Sequence, residues 1–257
     1  MNSDELAALA LAIVQDANNR HAAVRLCGGL AVYARCASIK SHPALGREHL
    51  DLQFIAPVDA WHVLPDLFIS RGFRMRVGSR EHATFKRGEL VADVKGTLFK
   101  DYFQIDMSRR LMADAITLPL ADLLLANLQR VQMGETDVQD SIALLLDHPV
   151  VSGGDSESID RDYICWRTYS NWGLWTAVYD NAVNLEKLLD RYLPLKEAKR
   201  AWRGIESIQE VMDARHKTNT WWLRSLPGKR MKWYTVPPAP RPDPEIVMAR
   251  PTKPIGR

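Results

Sequence analysis

Three short stretches of this chain have the residue types and spacing to hold a divalent cation against a phosphate. They are Cys27-Gly28-Gly29-Leu30, Leu50-Asp51-Leu52-Gln53-Phe54 and Val91-Ala92-Asp93-Val94. Residues two apart on a strand point to the same face, so Asp51 and Gln53 would meet a ligand together while Asp93 approaches from a neighbouring strand. Carboxylates are hard oxygen ligands for Mg²⁺. Glycines let backbone approach closely, and the helix they open offers free N–H groups and the positive end of its dipole to phosphate oxygens. The chemistry such a set suits is transfer from a nucleoside triphosphate, which uses two Mg²⁺ ions about 3.5 to 4 Å apart. Asp51 and Asp93 are then the candidate metal ligands, and Gly28 and Gly29 the candidate phosphate cradle. Gln53 stands where a second carboxylate is expected on the strand. A neutral amide is a poor Mg²⁺ ligand because it does not offset the cost of stripping water from the ion. Each element also has a plainer explanation, since Gly-Gly is common turn chemistry and strand-end aspartates are commonly just solvated. The order and spacing of all three carry the metal-site reading. A register pairing His49 with Asp51 would offer two ligands better suited to Zn²⁺.

The elements that must position these residues follow from pattern and punctuation. Ser3 as N-cap with Asp4 and Glu5 in the first turn opens a helix through Leu6, Leu9, Ile13 and Val14 that ends before Asn18. Val24 to Cys27 reads as a buried strand that the two glycines turn into a helix from Leu30 to about Ala37. Leu50 to Ala56 reads as the next strand, then a helix from Val58 to Ser70, then strands over Phe73–Val77, Ala83–Lys86 and Glu89–Val94, the last two joined by an Arg87-Gly88 turn. The sheet is therefore mixed. Beyond Leu111 the pattern predicts helices over Leu118–Met133, from a Thr136 capping box to Asp147, and from Ile159 to Leu193 with Pro194 as the stop. The fold class expected is α/β, a mixed sheet with flanking helices followed by a helical bundle. Its divisions fall at 1–111, 112–195, a basic tryptophan-rich helical extension at 196–235 and a disordered tail at 236–257, where half of the 14 prolines lie.

Composition narrows the setting. The 257 residues are 46% hydrophobic and 25% charged, ordinary for a globular chain, and the net charge of +3 is too small to point to a polyanionic partner. No run approaches the roughly 18 apolar residues of a membrane span, and Asp4 and Glu5 stand where a signal peptide wants positive charge, so a cytoplasmic location is expected. Cys27, Cys36 and Cys165 form no CxxC pair, and neither a disulfide nor a zinc site is expected. The 196–235 segment interleaves lysines and arginines with Trp202, Trp221, Trp222, Trp233 and Tyr234. Such a surface suits single-stranded RNA, but docking of the tryptophans onto the helices is the preferred reading.

Residues 20–95 resemble the minimal, DNA-polymerase-β-like nucleotidyltransferase superfamily, whose pattern is Gly-Gly before a helix, Asp-x-Asp on the next strand and a third Asp on a later one. Arg47-Glu48-His49-Leu50-Asp51-Leu52-Gln53 looks like the version found in relatives of abortive-infection and toxin-type nucleotidyltransferases. The stretch Thr117 to Gln129, then Asp137-Val138-Gln139-Asp140, Trp172-Gly173-Leu174-Trp175, Trp222-Leu223-Arg224 and Trp233-Tyr234, is similar to the later helices of a group of bacterial members. The resemblance implies Mg²⁺, an NTP, and transfer of a nucleoside monophosphate to RNA, protein or a small molecule. It implies Asp51 and Asp93 as catalytic residues and metal ligands, with Gly28, Gly29, Arg47, Gln53 and Asn127 on the nucleotide side. Four positions depart from the pattern: Gln53 replaces the second acid, Asn127 and Thr136 stand where lysines are frequent, and Leu30 replaces a serine. The alternative implied by those departures is a catalytically silent nucleotide- or RNA-binding regulator, in a defence or toxin–antitoxin setting.

Overall fold

The computed structural model describes residues 1–79 and 81–236. The expected proline-rich tail at 236–257 therefore lies outside the described residues except for Val236. Helix α1 (Ser3–Asn19) opens on Asn2 rather than Ser3: the Asn2 side chain accepts from the Glu5 N–H while Glu5 accepts from the Asn2 N–H. Strand β1 (Arg25–Cys27) leads into α2 (Gly28–Arg35) and the short α3 (Ala37–Ser41), then β2 (Asp51–Ile55). The single helix expected over Val58–Ser70 is instead a 3₁₀ turn, Val58–His62, followed by α4 (Leu64–Ile69). Pro65 explains the restart, because proline fits the first turn of a helix and lacks the N–H an interior position needs. Strands β3 (Arg74–Gly78), β4 (His82–Arg87) and β5 (Leu90–Lys95) follow, and the β4–β5 turn falls on Gly88-Glu89, one residue later than expected. Its left-handed residue is Gly88, φ +58°, which the turn requires.

The five strands pair in the order β1-β2-β5-β4-β3, with β2 parallel to β5 and the other neighbours antiparallel. One face of this mixed sheet is apolar. Leu52, Phe54, Ala83, Phe85, Ala92 and Val94 are all at most 1% exposed, and Phe68 of α4 stacks on Phe85 at 4.2 Å while meeting Phe54 and Phe73 edge-on. The alternate positions of the same strands, Asp51, Gln53, Asp93, Thr84 and His82, make up the other, wetter face. A small hairpin that the pattern missed, β6 (Leu98–Lys100) and β7 (Gln104–Asp106), closes this half.

The chain then returns to the sheet edge, where Leu26 bonds the backbone of Ile116 and Leu118. Helix α5 (Leu120–Leu128) is shorter than the Leu118–Met133 expected, because the Asn181 amide donates to the carbonyls of Leu128 and Arg130 and so satisfies the chain as it leaves the helix. Helix α6 (Glu135–Asp147) begins after Gly134, whose N–H donates to Asp137, so Thr136 is not the cap. Short strands β8 (Val150–Val151) and β9 (Ile159–Asp160) precede α7 (Arg161–Thr168) and α8 (Trp172–Tyr192). The expected continuous helix is thus split, and Asn171 is the reason: its side chain accepts from the Leu174 N–H and starts a new helix. Helix α9 (Leu195–Ala214) packs on α6, α7 and α8, and α10 (Asn219–Ser225) lies on α8. The last tryptophans are turned inward: Trp221 meets Trp175, Trp233 meets Trp172 and Phe103, and Thr235 donates to the Tyr102 carbonyl. Trp222 is 56% exposed. Among the described residues no helix is long and apolar enough to cross a membrane.

Buried ion pairs tie the sheet to the helices. Arg35 at the end of α2 donates to Asp114 at 2.6 Å, reaches Glu157 and bonds the Ser156 carbonyl, while Arg25 donates to the carbonyls of Leu111 and Asp114. The Arg35 and Asp114 side chains are 11% and 5% exposed, so removing one partner leaves the other's charge uncompensated away from water. Arg35→Ala is expected to cost about 3 kcal/mol in urea unfolding; a loss no larger than that of an exposed arginine would show that this junction does not hold the two parts together.

Candidate functional site

The parallel pairing of β2 with β5 decides what can meet on the wet face. Gln53 lies directly across from Asp93, and Asp51 across from Val91, so the two aspartates are diagonal neighbours with the amide between them. Cys27 pairs with Gln53 on the other side, which brings the glycine turn to the same strand position. Gly28 is left-handed at φ +68°, and a β-carbon there would sit 2.8 Å from Gln53 Oε1. Only glycine suits that place. Asp51, Gln53, Asp93 and Gly28 therefore lie together at the start of α2.

Among them the polar atoms are arranged in two sets. The Gln53 amide donates to Asp51 Oδ2 at 2.7 Å, and the Thr84 hydroxyl donates to Asp93 Oδ1 at 2.6 Å, with His82 Nε2 3.3 Å from the same oxygen. Among the described residues, the second carboxylate oxygen of each aspartate takes no hydrogen bond. Two carboxylates on one partly open face fit a single Mg²⁺, an ion that retains several waters and takes one or two protein carboxylates beside phosphate oxygens. The side chain between them, Gln53, is neutral. Among the described residues no group of three or more His, Cys, Asp or Glu side chains could form an all-protein metal cage. The register pairing His49 with Asp51 does not form a site, since His49 is 5% exposed and packed on Tyr33, whereas Asp51 faces out.

Around Gly29 the arrangement is tighter. The Arg47 guanidinium crosses it so closely that a β-carbon would overlap Nη2, and the same Nη2 donates to both oxygens of Asp140 on α6, at 2.9 and 2.7 Å. The charge expected to face triphosphate is thus already paired. Among the described residues, Arg47 Nε and His49 Nε2, by contrast, are buried without a well-formed hydrogen bond. Burial pushes the Asp140 carboxyl above the usual range, opposed by Arg47. Burial, with Arg47 adding to it, holds His49 down at about 4, against the upward pull of Asp51 and the Gly29 backbone. Burial also pushes the Cys27 thiol up to about 12, which makes it an inert neighbour.

Asn127 stands apart. It is 9% exposed on α5, a helix packed on α2, and among the described residues its Nδ2 has no hydrogen-bond partner and it makes no bond to the Asp51–Asp93 cluster. Sequence reasoning missed Thr84 and His82, although their two-residue spacing on a strand beside β5 was a usable signal. It also missed the role of Asp140, whose partnership with Arg47 spans 93 positions and leaves no local trace.

Two expectations follow. Gly28→Ala meets both a left-handed backbone and Gln53, whereas Gly88→Ala at φ +58° meets nothing within 4 Å. The first should destabilise by about 1 kcal/mol more than the second in urea unfolding; equal costs would mean that Gln53 does not press on the turn. For His49, the folded value lies below the ordinary 6.5, so the unfolded chain takes the proton first and stability is lost as pH falls from 6.5 toward 4. His49→Phe, which keeps a ring against Tyr33, should lose on the order of 2 kcal/mol less over that window in thermal melts; parallel pH curves would contradict the assignment.

No family model matches this chain, and no curated protein matches it. Solved structures do. The solution structure of the antibiotic-resistance factor ANT(2'')-Ia is 15% identical over 82% of this chain and 91% of that one, with a TM-score of 0.34. The crystal structure of ANT(2")-Ia with adenylyl-2"-tobramycin is 14% identical over 82% and 96%, with a TM-score of 0.33. An antigenic nucleotidyltransferase-like protein from Paracoccidioides brasiliensis is 14% identical over 87% and 99%, with a TM-score of 0.43. The solved structures similar to this chain are thus a nucleotidyltransferase and a nucleotidyltransferase-like protein, at a distance too great to transfer an activity or a residue's role.

Proposed function

We propose that this chain binds a nucleoside triphosphate against Gly28, Gly29 and Leu30, with one Mg²⁺ held by Asp51 and Asp93, and passes the nucleoside monophosphate to a hydroxyl of RNA, protein or a small molecule. The observation that supports it is the β2–β5 register, which sets Gln53 between two carboxylates and against the glycine turn on one open face. Bound Mg²⁺ would offset triphosphate charge and polarise the phosphoryl oxygens. The chain's own groups do the rest. The first turn of α2 offers N–H groups to phosphate oxygens, and Arg47 Nε and His49 Nε2 supply buried polar atoms beside them that, among the described residues, lack a well-formed hydrogen bond. Thr84 and His82 orient Asp93 through one oxygen, and its carboxylate would take up the acceptor hydroxyl's proton as the hydroxyl oxygen bonds the α-phosphorus and the bond to pyrophosphate breaks. A cytoplasmic setting, where NTP and Mg²⁺ are at hand, belongs to the same reading.

One observation favours a second reading, a silent binder of nucleotide or RNA. Gln53 occupies Asp51 Oδ2 with a hydrogen bond and takes the place of a charge. Labelled transfer from α-³²P NTPs in Mg²⁺ or Mn²⁺ separates the two. If the chain is an enzyme, Asp51→Asn should lower transfer about 100-fold or more, and Gln53→Asp should match or exceed the parent. Nucleotide binding without transfer in the parent and in Gln53→Asp alike would leave the silent reading standing.

A further inference from the structure

A cleft of about 760 Å³ lies at the other end of α2 and α6, between α3, the last residues of α6 and the first turns of α9. Its lining Asp147 is seven residues beyond Asp140 on α6, about 10 Å along that helix, and α3 follows the end of α2 opposite to Gly28 and Gly29. It therefore does not belong to the cluster described above. Lys196, Lys199, Arg200 and Arg203 line one wall. Their spacing of three, four and seven puts them on one face of α9 over about 10 Å, and among the described residues none of them has an ion-pair partner. Among the described residues the cleft holds buried polar atoms without a hydrogen-bond partner: Ser38 Oγ, on a residue 7% exposed, His42 Nδ1, and one carboxylate oxygen, Glu197 Oε2.

The acidic groups there are placed to leave the cations free. Asp147 accepts from the Ser38 N–H at 2.8 Å, and Glu197 Oε2 faces His42 Nε2 at 3.8 Å. Four cations against two carboxylates leave the cleft positive. Among the described residues no group of His, Cys, Asp and Glu could hold a metal there, so an anion suits it better than a cation. Among the described residues no Phe, Tyr or Trp lines it, which removes the large stacking platforms that unpaired bases use. The geometry points to a separate binding site for a small molecule carrying linked phosphate groups, which lie along Lys196, Lys199, Arg200 and Arg203 with the Ser38 hydroxyl and His42 donating from the floor. This inference does not depend on the nucleotidyl-transfer reading.

Inorganic tripolyphosphate titrated calorimetrically into the full chain in EDTA tests it, because a Mg²⁺-dependent site at Asp51 and Asp93 is then disabled. Saturable one-to-one binding is expected, weakened at least tenfold by Lys199→Gln with Arg203→Gln and by Ser38→Ala, and unchanged by Lys187→Gln, which removes an exposed charge from α8 away from the cleft. Unchanged melting temperatures would show that the variants fold. Binding that survives the cleft variants, falls equally in Lys187→Gln, or is seen only with a single-stranded RNA oligonucleotide would overturn the proposal, as would no binding at all.

Discussion

A guanidinium laid across a glycine joins the two halves of this molecule. Arg47 comes from the loop before β2, Gly29 from the first turn of α2, and Asp140 from the middle of α6, and the three meet because position 29 has no side chain to keep them apart. Asp140 is 5% exposed at its side chain and needs a cation; Arg47 supplies it without leaving the edge of the wet sheet face. The same contact fixes where the start of α2 sits relative to β2, and hence how Gly28 bears on Gln53. It also sets a condition on any phosphate bound there, since the charge nearest the glycines is shared with a buried carboxylate.

The sheet supplies the other constraint. With one face filled by phenylalanine and branched aliphatic side chains, strand alternation leaves its polar residues no choice but the opposite face. The parallel β2–β5 pairing then converts sequence spacing into a geometry: two aspartates on the diagonal, an amide between them, and a threonine and histidine behind the second. The neutral Gln53 fits this arrangement, because its amide donates to Asp51 and its carbonyl lies against Gly28. A neutral residue can thus preserve a site's shape while altering how much positive charge the site can hold.

Much of this was legible beforehand where the signal is local. Period-two alternation placed β2, β4 and β5, and the strand–glycine–helix unit at Cys27–Leu30 was visible because few other residues tolerate that turn. What failed depended on partners far along the chain. Leu118–Met133 carries apolar residues along most of its length, with no Gly or Pro from Leu120 to Met133 to mark the end that Asn181 creates, and Asn171 sits between Tyr169 and Trp172 with no Pro to mark the break it makes. The tryptophans near the carboxyl end were ambiguous in sequence, since a ring can stack on a base or on another ring; Trp221 and Trp233 resolve toward Trp175, Trp172 and Phe103. Arg47 was readable as a cation near the cluster, but its pairing with Asp140 was not.

The most direct test of the central claim is a crystal structure with Mn²⁺ and a non-hydrolysable NTP analogue, read by anomalous scattering. The account predicts one metal peak shared by Asp51 and Asp93, with the triphosphate against Gly28 and Gly29. A triphosphate bound elsewhere, or no metal between the two aspartates, would contradict it.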